Sequence, residues 1–387
     1  MVIPRWALAG IVVASCLCGE AYGVVTTYHI GNSLTWDGQP VKVQEMSASQ
    51  GIDHSEGHHI RTGSSLPTIF NDTPCSGTCI IGDEYGEFDV ALPNNHFDVV
   101  FMQPHHNSTL GDDQTIIGQM INMSLGADRY VIYGTWPHTN AGADYQAAWD
   151  APITNTPSQA LSSTTRRRAY FTTLTDNVRD AFPNKEIHLL PLGDILYRLD
   201  QIIKADAFPD PSYTDAFDFY DDEQHLTNTG RWIAANALYT MIHRESPVGV
   251  PRPTSPNSFD IPTRGDPLPV GLEVYLQQVV WDVLYPHPYT GLYLPGDADL
   301  DGDVDLDDFD ILAANFNTVV AGGPSEGDFN NDGVVNMDDY VTQALNFNAP
   351  GPGEGIPVLP EPTTVLVVIN AASVCLLRRP RRDVSHP

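Results

Sequence analysis

Between residues 24 and 243, short runs of Val, Ile, Tyr and other apolar residues alternate with longer stretches in which apolar side chains recur every three or four positions. The short runs, at residues 24–30, 58–62, 98–102, 130–133 and 187–190, predict strands. They are nearly continuous in apolar residues, as expected where both faces of a sheet are covered. Helical spacing over residues 41–50, 112–125, 158–181, 195–205 and 228–243 predicts the covering helices. Strand and helix in turn imply an α/β fold, a parallel sheet sandwiched by helices. Functional groups of such sheets gather beyond the carboxyl ends of the strands, so the polar residues that follow each strand matter most. Residues 247–269 are rich in proline and predict an extended segment. Helical spacing returns in GLEVYLQQVVWDVLYPHP from Gly271, which predicts a helix packing back on the sheet and a domain spanning residues 24–294.

Charge narrows the picture. The 387 residues carry 19 Lys+Arg against 49 Asp+Glu, a formal charge of −30, and 42% of them are apolar. That apolar share supports a buried core and excludes wholesale disorder. Neutralising nucleic-acid phosphates needs a basic face, and the basic clusters are only Arg166 to Arg168 and the last ten residues, so nucleic acid is excluded as a partner. The acid is concentrated: residues 297–347 hold 13 Asp/Glu and no Lys or Arg.

The two ends read as targeting segments. Residues 1–23 join Arg5 to an apolar run at 6–18 and end in the small residues Ala21 and Gly23, the pattern of a signal peptide cleaved near Gly23. Cys16 leaves a lipoprotein reading open. At the other end, Pro360-Glu361-Pro362 precedes a 15-residue apolar run and then Arg378, Arg379, Arg381 and Arg382. This tail, residues 360–387, resembles the PEP-CTERM sorting signal of Gram-negative bacteria. The resemblance implies export, transient anchoring in the inner membrane by a short transmembrane segment, processing by an exosortase-type enzyme, and a surface or extracellular-matrix destination. At ~1.5 Å per residue the run reaches only ~22 Å, which suits a transient anchor better than a permanent span. Residues 349–359 read as a flexible spacer. Of five cysteines, only Cys75 and Cys79 lie outside these ends, and in an oxidising compartment they form a small disulfide loop. A zinc site there would need histidines in tetrahedral reach.

The acidic block contains a repeat. DADLDGDVDLDD begins at Asp297 and DFNNDGVVNMDD begins 31 residues later at Asp328. Each fits a twelve-residue calcium loop. Oxygen ligands come from Asp297, Asp299, Asp301, Asp305 and Asp308 in the first, and from Asp328, Asn330, Asp332, Asn336 and Asp339 in the second. Asp303 and Val334 would supply backbone carbonyls, and Gly302 and Gly333 permit the sharp turn. Each loop leads into one short apolar helix, with no helix before it. Residues 295–348 therefore resemble a dockerin, which implies a small all-α module holding two structural Ca²⁺ ions and docking on a cohesin-like module. The recognition positions hold Leu306-Asp307 and Met337-Asp338, whereas cellulosomal dockerins often have Ser-Thr.

Two motifs carry the chemistry of the larger domain. Gly31-Asn32-Ser33-Leu34-Thr35 follows the first strand, where a serine can be held exposed at a helix start or can simply cap that helix. Asp222 and His225 precede the last long helix, three residues apart, so the carboxylate can fix the tautomer of an imidazole that faces a serine. Together these motifs resemble blocks I and V of the SGNH (GDSL-like) hydrolases, whose fold is flavodoxin-like. The resemblance implies Ser33 as nucleophile, His225 as general base and acid, and Asp222 as orienting carboxylate. It also implies an oxyanion hole from the Ser33 backbone N–H, Gly63 as the block II glycine, and a block III asparagine. The Gly-x-Asn of block III is missing from FDVVFMQPHHNS, which leaves Gln103 at the strand's carboxyl edge, with Asn107 in reserve. Asn32 also stands where GDSL enzymes have Asp.

The histidines His58, His59, His105, His106 and His138 near strand ends could converge, yet the bridging carboxylates of a dinuclear metal hydrolase are not evident. No cofactor is implied for catalysis. Trp136 and Trp149 could stack on sugars or fill the core. The combined expectation is an exported serine esterase that removes acyl groups, O-acetyl above all, from a glycan. The alternative is a non-catalytic surface or matrix protein that binds glycan on the same fold. A lipase or thioesterase would need a large apolar cleft.

Overall fold

The computed structural model describes residues 23–105, 108–153, 167–254, 271–320, 323–330 and 332–348. Residues 1–22 of the signal expected at 1–23, residues 255–269 of the expected extended segment, the expected spacer at 349–359 and the expected sorting tail at 360–387 lie outside the described residues. Among the described residues no helix is long and apolar enough to cross a membrane.

Six strands form one sheet: β1 Val25–Gly31, β2 His54–Arg61, β3 Cys79–Ile81, β4 His96–Met102, β5 Gly126–Gly134 and β6 Glu186–Pro191. Their order is β3-β2-β1-β4-β5-β6, with every pairing parallel except β2 with β3. Without β3, the parallel strands run 2-1-3-4-5 in chain order, compatible with a flavodoxin-like sheet. The continuous apolar pattern has its cause in coverage: Val99, Val100, Phe101 and Met102 on central β4 are all fully buried, so both faces are covered.

The helices are α1 Ser33–Asp37, α2 Pro40–Ser49, α3 Leu66–Phe70, α4 Phe88–Asn94, α5 Leu110–Met123, α6 Tyr145–Trp149, α7 Arg168–Ala181, α8 Leu192–Lys204, α9 Asn228–His243 and α10 Leu272–Leu284. Contacts link α2, α9, α10 and α8 in one group and α3, α4, α5 and α7 in another. All sixteen residues of α9 are buried, so this helix is a core element rather than a surface cover.

Several sequence expectations need correction. The sheet is not purely parallel, because β3 adds an antiparallel edge. Three residues made β3 too short for a periodic signal. Strand β2 starts at His54 instead of residue 58, since its polar residues are buried with partners: His54 bonds Thr27 and Ser47, and Glu56 bonds His58. The helix expected from residue 158 is described from Arg168. The acidic block is not all-α. It holds α11 Leu306–Asn315 and α12 Met337–Asn346, with an antiparallel pairing between β7 Thr318–Val319 and β8 Val334–Val335.

Behind β4, α5 and α7 meet at a buried carboxylate. Ser108 and Tyr170 hydroxyls donate to Asp113 Oδ2 at 2.8 and 2.6 Å, while Oδ1 has no partner among the described residues. Burial pushes Asp113 up to about 7, only partly offset by those two donors. Folding thus disfavours the ionised form. The stability this group contributes is intact below its ordinary value of 3.8 and is lost as pH rises through about 7. Asp113→Asn keeps an acceptor for both hydroxyls and cannot ionise. Its stability relative to wild type should therefore climb between pH 4 and 8, by at most about 4 kcal/mol. Urea unfolding across that range checks the slope, and parallel curves for the two proteins would exclude Asp113 as its source.

Candidate active site

Strand β1 delivers its last residue into a turn too tight for any side chain. A Cβ on Gly31 would sit 2.1 Å from Thr35 Oγ1 and 2.8 Å from Gln103. Asn32 then caps α1: its Oδ1 accepts from Leu34 N at 2.9 Å, and its Nδ2 donates to the Ser64 carbonyl at 2.9 Å. An aspartate could make the first bond but not the second. The amide at this position therefore ties the nucleophile turn to the 63–64 loop, which accounts locally for Asn32.

Ser33 opens α1, half-buried, with its Oγ 2.9 Å from His225 Nε2. On the far side of the ring, Nδ1 lies 2.7 Å from Asp222 Oδ2. The second carboxylate oxygen accepts from the Gln224 and His225 backbone N–H groups at 2.8 and 2.7 Å. A carboxylate against Nδ1 places the proton there and leaves the Nε2 lone pair facing the serine hydroxyl. Burial raises the Asp222 carboxyl, but the His225 backbone and ring and the Gln224 N–H outweigh it and bring it down to about 2. The Asp222 side chain is 51% exposed and that of His225 18%, so the site lies open at the surface.

The loop carrying Asp222 and His225 is held from three sides. Asp37 Oδ2 accepts from Leu226 N at 3.0 Å, while its Oδ1 accepts from Arg231 Nε and Nη2 at 3.0 and 2.9 Å. Both partners are buried, Asp37 at 1% exposure and Arg231 at 3%. Trp136 Nε1 donates to the Gln224 carbonyl at 2.7 Å, and Thr139 N to the Glu223 carbonyl at 3.0 Å. Sequence reasoning missed Asp37 and Arg231. A signal was present: Arg231 is the sole Lys or Arg in α9, and an arginine in a helix buried all round requires a carboxylate.

Where an oxyanion could be held, the structure differs from expectation at one residue. Gln103 is fully buried beneath the turn. Its Oε1 accepts from Asn32 N at 3.0 Å and Thr35 Oγ1 at 2.9 Å, and its Nε2 donates to the Pro104 carbonyl at 2.7 Å. The amide oxygen braces the turn that carries Ser33, and one of the two Nε2 protons goes to Pro104. Asn107 lies outside the described residues. Gly63 is exposed in a left-handed turn at φ 66°, and neither its N–H nor that of Ser33 has an acceptor among the described residues.

Of the histidines, His29, His54 and His243 are linked through two hydroxyls: Thr27 Oγ1 lies 3.2 Å from His29 and 2.9 Å from His54, and Ser47 Oγ lies 3.1 Å from His54 and 2.7 Å from His243. His58 and His59 are neighbours on β2 and point to opposite faces. His29, His54, His59 and His243 are buried, and burial holds each below its ordinary value, His54 and His59 to about 4 and His243 to about 3. His138 lies 3.4 Å from Glu223 on the loop that carries His225, and His106 lies outside the described residues. Trp136 and Trp149 are 0% and 1% exposed, which removes the sugar-stacking role and leaves core packing. Cys75 and Cys79 are joined as a disulfide with His59 alongside, and sulfurs bonded to each other offer a metal no thiolate.

The acidic repeat folds with matching hydrogen bonds in its two copies. Asp308 Oδ1 accepts from Ala298 N and Asp299 N, and its Oδ2 from Asp305 N; Asp339 does the same with Phe329 N, Asn330 N and Asn336 N. Asp297 and Asp328 each accept from the glycine N–H five residues on. Those glycines have φ of 109° and 86°, which a side chain rarely adopts. Carboxylate oxygens of Asp297, Asp299 and Asp308 lie within 4.8 Å of one another, as do those of Asp303, Asp305 and Asp308. Burial and neighbouring carboxylates push Asp299 and Asp303 up, and burial pushes Asp297 up to about 6. Crowded all-oxygen donors of this kind fit a hard divalent cation.

No protein-family model matches the chain, and no curated protein matches it. Among solved structures, a DUF4886 family protein from Bacteroides uniformis ATCC 8492 is similar over 67% of this chain and 93% of its own, at 17% identity and a TM-score of 0.43. A type II cohesin-dockerin domain from Bacteroides cellolosolvens is similar over 16% of this chain and 93% of its own, at 35% identity and a TM-score of 0.14.

Asp37→Ala would leave the Arg231 guanidinium buried without a counter-charge and Leu226 N without its acceptor. The expected loss is about 3–5 kcal/mol of folding stability, and Asp37→Leu combined with Arg231→Met should recover most of it. Denaturant unfolding of the three proteins decides the point: a loss below about 1 kcal/mol in Asp37→Ala would mean that the pair is not what holds the loop.

Proposed function

We propose that the chain is an exported serine esterase of SGNH type. The observation that carries this reading is the continuous chain of contacts from Ser33 Oγ through His225 to Asp222, at 2.9 and 2.7 Å. His225 Nε2 takes the hydroxyl proton as Ser33 Oγ attacks an acyl carbonyl. The N–H groups of Ser33 and Gly63 receive the developing oxyanion. His225 then hands the proton to the departing alcohol, and water repeats the sequence to free the acid. An open triad with a half-exposed carboxylate suits an ester carried on a polymer surface. An O-acetylated glycan is the favoured substrate, and export through the signal and sorting tail brings enzyme and polymer together.

The acidic repeat supports a dockerin-like reading. Asp297, Asp299, Asp301, Asp303, Asp305 and Asp308 would hold one Ca²⁺, and Asp328, Asn330, Asp332, Val334, Asn336 and Asp339 a second. The ions supply the positive charge that lets these carboxylates pack together. Leu306 and Met337 are 61% and 50% exposed at the start of α11 and α12, where a cohesin-like partner would read them.

The experiment is intact-mass analysis after fluorophosphonate treatment. One adduct on Ser33, absent in Ser33→Ala and slowed in His225→Ala, is the expected result. Should folded wild-type protein stay unlabelled, the esterase reading fails and glycan binding without catalysis takes its place. On an acetyl ester, Asp222→Asn should lower kcat on the order of a thousandfold or more while KM changes little, because the wrong tautomer then faces the serine. Equal kcat in the variant would remove Asp222 from the triad.

A further inference from the structure

The two acidic loops are alike inside and unlike outside. Asp328 accepts only from Asp332 and Gly333 of its own loop among the described residues. Its counterpart Asp297 is fully buried and accepts from Gly302 N, Leu300 N and, at 2.5 Å, the hydroxyl of Tyr285. Tyr285 is not part of the repeat. It follows α10 of the α/β unit, is itself fully buried and stacks on Trp281 with ring centroids 4.6 Å apart. The Tyr285 oxygen accepts from Leu294 N at 3.3 Å, which leaves its own proton for the carboxylate. Two further contacts join loop to helix. Leu300, inside the loop, packs on the core of the α/β unit, and a Cβ placed on Gly302 would lie 3.4 Å from the Trp281 ring. A cleft of about 500 Å³ opens at this junction, lined by Gln278, Trp281, Asp282, Asp299 and Asp301 among others.

We infer that Tyr285 is a positioning residue for the first calcium loop, so that one of the two cation sites is completed by the α/β unit and the other stands alone. The inference rests on the reading of both loops as calcium sites. A hydroxyl locked onto one oxygen of the first ligand fixes the rotation of that carboxylate before the ion arrives, as outer hydrogen bonds do in metal sites generally. Calcium in the first loop then tightens the junction with α10, and among the described residues the second loop has no such route to the sheet.

The test uses the full chain stripped of metal. Isothermal titration with CaCl₂ should show two sites in the wild type. Tyr285→Phe, which keeps the ring stack, should weaken one of them by about tenfold and leave the other unchanged. The calcium-dependent rise in thermal unfolding of the α/β unit should shrink in the same variant. Two unchanged affinities in a folded Tyr285→Phe protein, or equal weakening of both, would overturn the inference. A second measurement does not depend on that variant's folding. In Asp328→Ala, where only the first loop remains, calcium should still change tryptophan emission, and Trp281→Phe added to it should remove the change; a silent Asp328→Ala protein that binds calcium also overturns the inference. Absence of any calcium heat in the wild type is a separate outcome. It defeats the calcium reading itself and the inference with it.

Discussion

One buried carboxylate organises the site. Asp37 ends the short helix that Ser33 begins, and its two oxygens are divided between Arg231 on the core helix and the backbone of Leu226, the residue next to His225. Ser33 and His225 are 192 residues apart in sequence, and the elements that carry them are tied together by this carboxylate. The pair need not add net stability: desolvating two charges offsets most of their attraction, and a well-packed apolar pair could be as stable. What it supplies is geometry. A guanidinium fork and a backbone N–H meet one carboxylate in few orientations, so the serine and histidine elements are held in register, with Ser33 Oγ 2.9 Å from His225 Nε2.

The parts legible in the sequence were those that repeat or that sit on a periodic pattern. The five parallel strands announced themselves because strands buried on both faces have no polar alternation to disguise them. Ser33, Asp222 and His225 stood out as polar residues at element ends, and the duplicated loops through their fixed spacing. The missed features depend on contacts between distant residues. β3 is three residues long and exists only by pairing with β2. The extra turn of β2 consists of polar residues made burial-tolerant by partners elsewhere in the chain. Gln103 was read from its position at a strand's carboxyl edge, but position did not reveal that Asn32 and Thr35 would claim its oxygen. A side chain's hydrogen-bonding assignment is a property of its neighbours, and those are set by the fold.

Within the repeat, duplication accounts for the internal bonds, and the Tyr285 hydroxyl on Asp297 marks the difference between copies, since Asp297 and Asp328 are both buried. Both loops use the position-12 carboxylate to gather backbone N–H groups, so each is folded by the same local chemistry. Among the described residues, the first is pressed against the core of the α/β unit through Leu300. A carboxylate fully removed from water there must find donors, and Tyr285 is within reach. The asymmetry follows from where the repeat is attached and from Leu300, whose place in the second loop is taken by the polar Asn331.

Gln103 illustrates how a site of this kind divides its polar groups between support and chemistry. A single amide beneath the nucleophile turn accepts from a backbone N–H and a hydroxyl and donates to Pro104, which satisfies buried groups that would otherwise destabilise the turn. The oxygen of that amide is fully used within the turn, and one of its two N–H groups goes to Pro104. If acyl transfer is the chemistry, charge on the oxyanion falls to the backbone of Ser33 and of the 63–64 loop, and the Asn32 bond to the Ser64 carbonyl gains a second importance. It is the contact that holds the loop bearing the Gly63 N–H beside the nucleophile. Aspartate in its place would set a carboxylate against a carbonyl oxygen and push that loop away, so the amide at position 32 and the amide at position 103 form one arrangement. The first keeps the remaining donor loop near Ser33, and the second makes the turn rigid enough for two donors to be aimed.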